Sequence, residues 1–513
     1  MSAALPAEVI VGLDVGTTGV KAVAFGVGSS WRRVAIREYP LSTPAPHEEV
    51  QDPAVILAAA REALTECVAA ASGAEVIAVS VSAAMHGLLG LDSELAPLTP
   101  LITWADSRAH DEARALRRSG PDLHGLTGAP VHPMTPVTKL MWFARHERQT
   151  LARARWWVGL KELLLAWLTG RLVTEPSSAS GTGMLELGTR SWCEAAIEVA
   201  GVSADQLPEI LPAASRLPLA AAVAQATGLA AGTPVVLGAG DGPLANLGTG
   251  AIVPGVAGLS IGTSGAVRMV VERARVDDRR TLFCYALTDS LWVVGGAISN
   301  GGVVVRWAEG SLAPDLSGTA GARPDEALLT LAGGAPPGSE GLVMLPYLLA
   351  ERGPLWDPDL PGAYLGLRRE HSRAHLARAA LEGVCMQMRL IVDRLHEVAP
   401  VESVRATGGV FRSSLWREVM AAMLARPLEV VGEAEGTAVG AAALGLLALD
   451  RAATPADALA LLADPGAPEA PVVQADRDLA AIYDRLRASI PGLVAQLGAT
   501  AGLFAGDSGD ASG

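Results

Sequence analysis

Two similar patterns of apolar and polar positions follow one another along the chain. In the first half, residues 9–13 and 20–27 are apolar runs rich in β-branched side chains, and a Gly/Thr turn separates them. This pattern predicts a β-hairpin. Residues 53–71 have the apolar spacing of a helix, whereas 76–81 and 235–239 are short apolar runs that predict buried strands.

The second half begins with the same strand–turn–strand pattern, over residues 256–261 and 266–271. A strand that leads into Gly408-Gly409 follows later. The remaining periodic segments predict three helices, at residues 375–398, 414–424 and 437–449. Residues 498–513 are rich in Gly, Ala, Asp and Ser, which predicts a frayed end.

The two predicted hairpins match position by position. Residues 13–19 align with residues 259–265, and the main difference is that Ser260 stands in place of Asp14. One such match between Gly/Thr turns is weak, but at the start of each half it indicates a duplicated fold. The predicted division is an N-terminal domain over residues 1–250, a C-terminal domain over 251–455, and a helical segment with a flexible tail over 456–513.

Length and charge narrow the class of protein. A chain of 513 residues is too long for one ordinary core, which favours two domains. Half of the residues are hydrophobic, so a disordered chain is excluded. The net charge of −14 disfavours a protein that binds nucleic acid through its phosphate backbone. A locally positive pocket for a nucleotide remains compatible with this charge.

Four widely spaced cysteines without a CxxC pair predict reduced core residues of a cytosolic protein. The N-terminus shows no signal-peptide pattern, and the apolar runs are too short to span a bilayer. The sequence therefore predicts a cytoplasmic protein without a membrane partner. The sequence is also compatible with a homodimer.

The first turn and its neighbours contain candidate groups for binding phosphate and Mg²⁺. Its glycines allow close approach of the main chain, and its N–H groups with the Thr17 and Thr18 hydroxyls form a nest for the β- and γ-phosphates of a nucleotide. Lys21 adds a nearby cation, and Asp14 at the strand end is a candidate Mg²⁺ ligand, directly or through water. The alternative is a polar hairpin with a capping aspartate.

Several ordered segments together resemble the FGGY carbohydrate kinases. The first is Gly-Leu-Asp-Val-Gly-Thr-Thr-Gly-Val-Lys at 12–21, and the second is Pro-Val-Thr-Lys-Leu-Met-Trp at 136–142. A third is Gly-Ala-Tyr-Leu-Gly-Leu at 362–367, followed by related positions within 375–382. The resemblance implies an α/β, duplicated actin/hexokinase-like (ribonuclease H-like) ATPase fold with two domains around a cleft. It also implies transfer of phosphate from ATP, with Mg²⁺, to a sugar hydroxyl.

The resemblance assigns roles to further residues. Asp241, between two glycines after a strand, takes the position of the catalytic base. The residues of the second half that correspond to nucleotide-binding positions are Gly262, Thr263, Gly302, Arg306, Gly409 and Ser413. Taken singly, each of these nucleotide-binding segments is more typical of a Gly-rich turn between a strand and a helix than of a nucleotide site.

The substrate side resembles the gluconokinase-like branch of the family. Met85 and His86 follow the strand at 76–81 and could bind sugar hydroxyls, while Trp104 adds an aromatic wall and Asp106 a carboxylate acceptor. Xylulokinases typically carry Gln and Asn where this chain has Ala84 and Ala105. The predicted reaction is therefore phosphorylation of gluconate to 6-phosphogluconate. Lys161 is a candidate cation for the gluconate carboxylate, and a surface or interdomain lysine is the alternative.

Alternative functions remain at this stage. Within the class, the alternative is a xylulokinase-type pentulose kinase. In a different class, the same fold serves actin-like and chaperone-type ATPases, which phosphorylate no metabolite. A catalytically inactive sugar-binding regulator is disfavoured because Asp14, Thr17 and Asp241 are present together.

Overall fold

A computed structural model describes residues 5–316, 324–432, 436–464, 466 and 469–500. The strands are β1 (Glu8–Val15), β2 (Gly19–Gly26), β3 (Arg32–Glu38), β4 (Val50–Gln51), β5 (Glu75–Ala83), β6 (Leu89–Leu91), β7 (Leu101–Ile102), β8 (Trp156–Val158), β9 (Val173–Thr174), β10 (Glu209–Ile210), β11 (Arg216–Pro218), β12 (Pro234–Gly240), β13 (Val256–Ile261), β14 (Gly265–Val271), β15 (Phe283–Ala286), β16 (Trp292–Ile298), β17 (Val343–Leu345), β18 (Ala363–Leu365), β19 (Ser403–Thr407), β20 (Leu428–Val430) and β21 (Val472–Val473).

The α-helices are α1 (Pro53–Ala70), α2 (His110–Ser119), α3 (Leu123–Thr127), α4 (Pro136–His146), α5 (Arg148–Arg153), α6 (Leu160–Thr169), α7 (Pro176–Gly181), α8 (Glu194–Ala200), α9 (Ala221–Thr227), α10 (Asp241–Gly248), α11 (Gly302–Leu312), α12 (Pro324–Gly333), α13 (Arg373–Val398), α14 (Ser414–Leu424), α15 (Gly436–Ala448), α16 (Pro455–Leu462) and α17 (Arg477–Thr500). Short 3₁₀ helices lie at Ala204–Gln206, Pro314–Leu316, Ser339–Gly341 and Gly409–Arg412.

The predicted elements are present in this α/β structure. Both hairpins form, and the helix predicted at 414–424 matches α14 to the residue. The helix predicted at 375–398 begins two residues earlier, at Arg373, because Ser372 and His375 form a capping box there. Of the predicted frayed end at 498–513, residues 498–500 belong to α17 and the rest lie outside the described residues.

The chain divides into two compact units. The first contains the described residues within 1–253, 269–294 and 434–469, and the second those within 254–268, 295–433 and 470–513. This division differs from the predicted boundary, because two later stretches of the chain join the first unit. α15 packs so closely that a Cβ on Gly12 would lie 2.4 Å from the carbonyl oxygen of Ala438. Sequence order alone does not show such a return of the chain.

The first unit contains a mixed sheet with the strand order β11-β12-β5-β1-β2-β3. The strands β12, β5 and β1 are parallel to one another, whereas β2 is antiparallel to β1. The register places Asp14 opposite both Lys21 on β2 and Ser82 on β5. Because the central strands are buried on both faces, they read as nearly continuous apolar runs.

The second unit repeats part of this arrangement. β13 lies parallel to β19, with Ser260 opposite Thr407, and β19 lies parallel to β20. Thus β13 and β19 correspond to β1 and β5 of the first unit, which supports the duplication inferred from the two turns.

The four cysteines are free and buried, as predicted. Among the described residues, no helix is both long and apolar enough to cross a membrane.

Candidate active site

Three parallel strands of the first unit end at one edge of the sheet, and two of them bring the predicted functional residues Asp14 and Asp241 there. Asp14 lies one residue before the end of β1, and Ser82 lies one residue before the end of β5. β12 ends at Gly240, so Asp241 follows directly and begins α10. The carboxyl edge of parallel strands is where α/β proteins bind ligands. The Ser82 hydroxyl donates a 2.8 Å hydrogen bond to Asp14 Oδ1.

Asp14 occupies an unusual electrostatic environment. Burial raises the pKa of its carboxyl to about 6, the Ser82 hydrogen bond opposes this shift, and the Asp241 carboxylate adds to it. Lys21 and Lys161 lower the pKa by smaller amounts. A bound cation would favour the ionised form of Asp14, so this environment suits Mg²⁺. Within the described ranges no three His, Cys, Asp or Glu side chains form a metal cluster. Mg²⁺ commonly takes only one or two protein carboxylates beside phosphates and water.

The phosphate turn is fixed by its neighbours. The Gly16 N–H donates to the Gly19 carbonyl at 2.9 Å, and Gln51 Nε2 donates to the Thr17 carbonyl at 2.6 Å. Trp104 Nε1 donates a 2.8 Å hydrogen bond to the Thr17 hydroxyl. The structure therefore connects the predicted sugar wall with the predicted phosphate turn.

Met85 and His86 lie against the strand end that carries Asp241. A Cβ on Gly240 would lie 2.6 Å from Met85 Sδ, so the Met85 side chain packs directly against the main chain at the end of β12. His86 has a positive φ of 65°, and its Nδ1 lies 2.6 Å from the carbonyl oxygen of Gly181. Because a carbonyl only accepts, Nδ1 carries the proton. The His86 ring also packs edge-on against Tyr285, with centroids 5.7 Å apart.

Asp241 is half-buried at the first position of α10. Its Oδ1 accepts a 2.7 Å hydrogen bond from the N–H of Gly242, and the N–H of Gly240 donates to the Ser177 hydroxyl at 3.1 Å. A carboxylate at a helix N-terminus is favoured by the helix dipole. Asp241 thus lies close enough to Asp14 to act on its charge, and it directly follows Gly240, against which Met85 packs.

The second turn lies in the second unit, where the remaining predicted nucleotide residues gather. The N–H groups of Gly302 and Val303, at the start of α11, donate to the carbonyls of Gly262 and Thr263 at 2.8 and 3.2 Å. Arg306, one turn along α11, donates from Nη2 to the Thr263 hydroxyl at 2.9 Å. This network places four of the predicted residues together.

Gly409 begins the short 3₁₀ helix after β19, and Ser413 directly follows that helix. The preceding Gly408 has a φ of 124°, and a Cβ there would lie 2.0 Å from the Ile261 carbonyl oxygen. The turn after β19 therefore contacts the end of β13, immediately before Gly262.

Family comparisons match both halves of this arrangement. The N-terminal domain of the FGGY family of carbohydrate kinases matches residues 9–248, and its C-terminal domain matches residues 257–449. The chain belongs to the FGGY family. It is an ATP-dependent carbohydrate kinase, which removes the actin-like and chaperone-type alternatives.

Named relatives of this FGGY kinase differ in their sugars. The gluconokinase of Bacillus subtilis (strain 168) is 36% identical over 447 residues, which cover 86% of this chain and 87% of that protein. The xylulose kinase of Escherichia coli (strain K12) is 30% identical over 444 residues, covering 85% and 90%. The crystal structure of a gluconate kinase from Lactobacillus acidophilus superposes with a TM-score of 0.91 at 31% identity, covering 97% of this chain and 100% of that one.

Two expectations about the FGGY kinase change with the structure. Lys161, the predicted cation for a substrate carboxylate, is 2% exposed and donates from Nζ to the carbonyls of Val81, Leu237 and Ala239. All three ammonium hydrogens are therefore used inside the protein, so the predicted carboxylate contact is wrong.

Asp106, the predicted sugar acceptor, is also engaged internally. Its buried carboxylate accepts from the Arg108 guanidinium at 2.7 to 3.1 Å and from the N–H of Glu49 at 2.8 Å. Both oxygens are thus occupied by the protein, and Asp106 holds the Trp104 segment in place.

Sequence reasoning missed a residue that connects the two sugar segments. Lys139 is fully buried, and its Nζ donates to the carbonyls of His86 at 2.9 Å and Thr103 at 2.6 Å. Burial lowers the pKa of Lys139 to about 7. A compositional signal was present, because the 40 Lys and Arg residues include only three lysines, Lys21, Lys139 and Lys161, and all lie in the first unit.

Proposed function

We propose that this kinase transfers the γ-phosphoryl group of ATP to the terminal hydroxyl of gluconate, giving 6-phosphogluconate. The shared strand edge that joins Asp14, Met85-His86 and Asp241 supports phosphoryl transfer to a small hydroxyl compound. The choice of gluconate is supported by the higher identity to a gluconokinase, 36%, than to a xylulose kinase, 30%.

Asp241 is the proposed base. As the hydroxyl oxygen of the substrate bonds to the γ-phosphorus, the bond from that phosphorus to the bridging oxygen of ADP breaks, and the hydroxyl proton passes to the Asp241 carboxylate. Asp241 is the first residue of α10, and the helix N-terminus favours a carboxylate there.

Both turns are proposed to bind the phosphates of ATP. The Thr17 and Thr18 hydroxyls, main-chain N–H groups of the first turn and Lys21 would contact phosphate oxygens, as would Gly262 and Thr263 in the second unit. The remaining proposed nucleotide contacts are Gly302, Arg306, Gly409 and Ser413. Donors fixed before the reaction stabilise the charge that develops on the transferring group.

Asp14 is the proposed ligand of Mg²⁺, directly or through water. When bound, Mg²⁺ neutralises charge on the phosphate oxygens during transfer. The buried Asp14 carboxyl with the nearby Asp241 fits a divalent cation, because each carboxylate otherwise raises the electrostatic cost of ionising the other.

On the substrate side, His86 and Met85 are proposed to contact the sugar acid, with Trp104 as an apolar wall. Asp106 is proposed to act on the substrate through the position of Trp104. Hydroxyls that lose water on binding need such fixed partners, so this arrangement also sets which sugar is accepted.

A sugar panel tests the proposal. ADP release is measured with gluconate, D-xylulose, glycerol and no sugar, and gluconate is expected to give the highest kcat/KM. Asp241→Asn keeps the size of the side chain and is expected to abolish sugar-dependent turnover while its melting temperature stays near that of the wild type. A clear preference for D-xylulose would support the alternative, a xylulokinase-type enzyme, since the chain is also 30% identical to a xylulose kinase. Near-normal turnover by Asp241→Asn would exclude this residue as the base.

A further inference from the structure

Lys161 lies where two strands of the first unit change register. Val236 of β12 pairs with Ser80 of β5, but the next pair joins Ala239 and Ser82. β12 therefore has two residues, Leu237 and Gly238, where β5 has only Val81. This is a β-bulge, a feature that re-aims a strand and is common beside active sites.

The bulge requires glycine at its second position. Gly238 has a φ of 75°, and a Cβ there would lie 1.9 Å from the Val81 carbonyl oxygen. The main chain of the two strands thus approaches closely at the bulge. Carbonyls at the bulge need donors other than those of a regular parallel ladder.

The Lys161 ammonium group supplies these donors. Its Nζ lies 2.5 Å from the Val81 oxygen, 2.9 Å from the Leu237 oxygen and 2.8 Å from the Ala239 oxygen. One cation therefore ties both strands together. Three converging acceptors suit a compact ammonium, whereas the planar guanidinium of arginine presents its donors in a rigid fork. This difference explains why a chain so rich in arginine has a lysine here.

Both strands lead directly from this contact into the proposed reaction machinery. Ala239 lies two residues before Asp241, and Val81 lies four residues before Met85. The Lys161 ammonium group also interacts electrostatically with the carboxylates at this strand edge. Glu175 and Glu162 contribute most to favouring its charged form, and Asp14 and Asp241 contribute less.

We propose that Lys161 is a positioning residue for phosphoryl transfer, whose ammonium group fixes the ends of β5 and β12 so that the substrate segment at Met85-His86 and the base Asp241 face the same hydroxyl. This inference rests on Asp241 being the base in the proposed function, but it does not depend on which sugar is accepted.

The test compares Lys161→Met, which keeps the length without the charge, and Lys161→Arg, which keeps the charge without the compact shape. Two rates are measured for each protein, namely phosphorylation of the sugar that the wild type prefers and hydrolysis of ATP without sugar. Both variants are expected to raise the KM for the sugar and to lose about 100-fold in kcat for the sugar, as expected for a misplacement of about 1 Å. The ratio of sugar phosphorylation to ATP hydrolysis should fall.

A merely structural role would lower both rates together, because it reduces only the fraction of folded enzyme. An unchanged ratio with an unchanged KM for the sugar would therefore overturn the proposal. If gluconate is not the substrate, the sugar panel of the wild type, which retains Lys161, would show it. The failure of the proposed substrate is therefore distinguishable from the failure of the proposed role of Lys161.

A second measurement needs no variant at Lys161. Because the chain has only three lysines, ¹⁵N-lysine labelling gives three side-chain ammonium signals. Asp241→Asn is expected to shift the signal of Lys161 more than that of Lys139, since Asp241 is among the charges that act on Lys161, whereas Asp106 and Arg108 are those that act on Lys139. A Lys161 signal that is unaffected by Asp241→Asn would also overturn the proposal.

Discussion

At the residue scale, buried charges organise the substrate side of the first unit. Lys139 contacts no solvent, yet its ammonium group satisfies the carbonyls of His86 and Thr103, which lie 17 positions apart in the numbering. Its role is therefore to hold main chain that carries His86 and Trp104. The sequence shows a lysine at this position but not the carbonyls around it.

Replacing Lys139 with Met is expected to raise the KM for the sugar by about tenfold or more, because two carbonyls lose their charged donor and each such loss costs about 1–3 kcal/mol. The KM for ATP should rise less than the KM for the sugar, because only the hydrogen bond from Trp104 to the Thr17 hydroxyl extends to the proposed phosphate turn. Initial rates over a range of sugar concentrations measure the effect, and Lys139→Arg tests whether charge alone suffices. A sugar KM equal to that of the wild type in Lys139→Met would contradict this role.

Glu351 predicts a pH dependence in the second unit. Its buried carboxyl accepts hydrogen bonds from Asn300 Nδ2 and from the N–H of Arg352, both at 2.8 Å, and burial raises its pKa to about 7. Between pH 4.5 and 7 the folded chain therefore binds a proton that the unfolded chain does not. The free energy of unfolding must then fall as the pH rises through this window.

The Glu351→Gln variant mimics the protonated carboxyl and should lack this component. Relative to the variant, the wild type is expected to lose up to about 3 kcal/mol of stability between pH 4.5 and 7, since each unit of pKa shift corresponds to about 1.4 kcal/mol. Urea unfolding of both proteins at several pH values measures the difference. Parallel pH profiles for the two proteins would show that Glu351 does not titrate in this way.

At the element scale, glycines decide how α15 joins the first unit. A Cβ on Gly440 in α15 would lie 2.0 Å from the carbonyl oxygen of Leu244 in α10, and a Cβ on Gly248 would lie 1.7 Å from the Gly436 oxygen. These contacts let backbone meet backbone directly. Because α15 is buried, its sequence is almost entirely apolar. The hydrophobic pattern thus predicts that the helix is buried, but it does not show which elements cover it.

Gly440→Ala and Gly310→Ala form a matched pair of substitutions inside helices. Gly310 in α11 has open space around a Cβ, so alanine there should stabilise the protein by about 0.5–1 kcal/mol. Alanine at Gly440 should instead destabilise it by about 1–3 kcal/mol, because the added methyl meets main chain that cannot rotate away. Thermal unfolding of the two variants measures both values, and a stabilised Gly440→Ala would refute the close packing.

At the scale of the whole molecule, the first unit is discontinuous in sequence. Its core strands are completed by α15, which comes from a stretch beyond residue 433. Gly445 of α15 packs on β1, where a Cβ would lie 2.7 Å from Ile10 Cδ1. A fragment that ends near the predicted boundary therefore leaves one face of the central strands uncovered.

A fragment of residues 1–253 is expected to melt without a cooperative transition and to bind a dye that reports exposed apolar surface. A fragment of residues 1–469 contains all three stretches of the first unit and should bind less of the dye. Circular dichroism on heating and dye fluorescence compare the two. A sharp, cooperative transition of residues 1–253 would mean that α15 is dispensable for this unit.

The amino-acid sequence by itself determined the elements, the duplication and the class of reaction. Apolar periodicity sets strands and helices locally, and the repeated Gly/Thr turns at 14–19 and 260–265 mark the start of each half. Asp241, the proposed base, and most of the proposed nucleotide residues also lie in short motifs that the sequence shows.

The tertiary structure alone decided which buried groups meet. Lys161 and Lys139 donate to carbonyls up to 80 positions away in the sequence, and the Asp106 carboxylate pairs with the Arg108 guanidinium. It also decided that α15 belongs with β1, more than 400 positions earlier. The physical reason is the same in each case: a buried polar group or apolar face must find its partner in space, and sequence separation places no limit on where that partner lies.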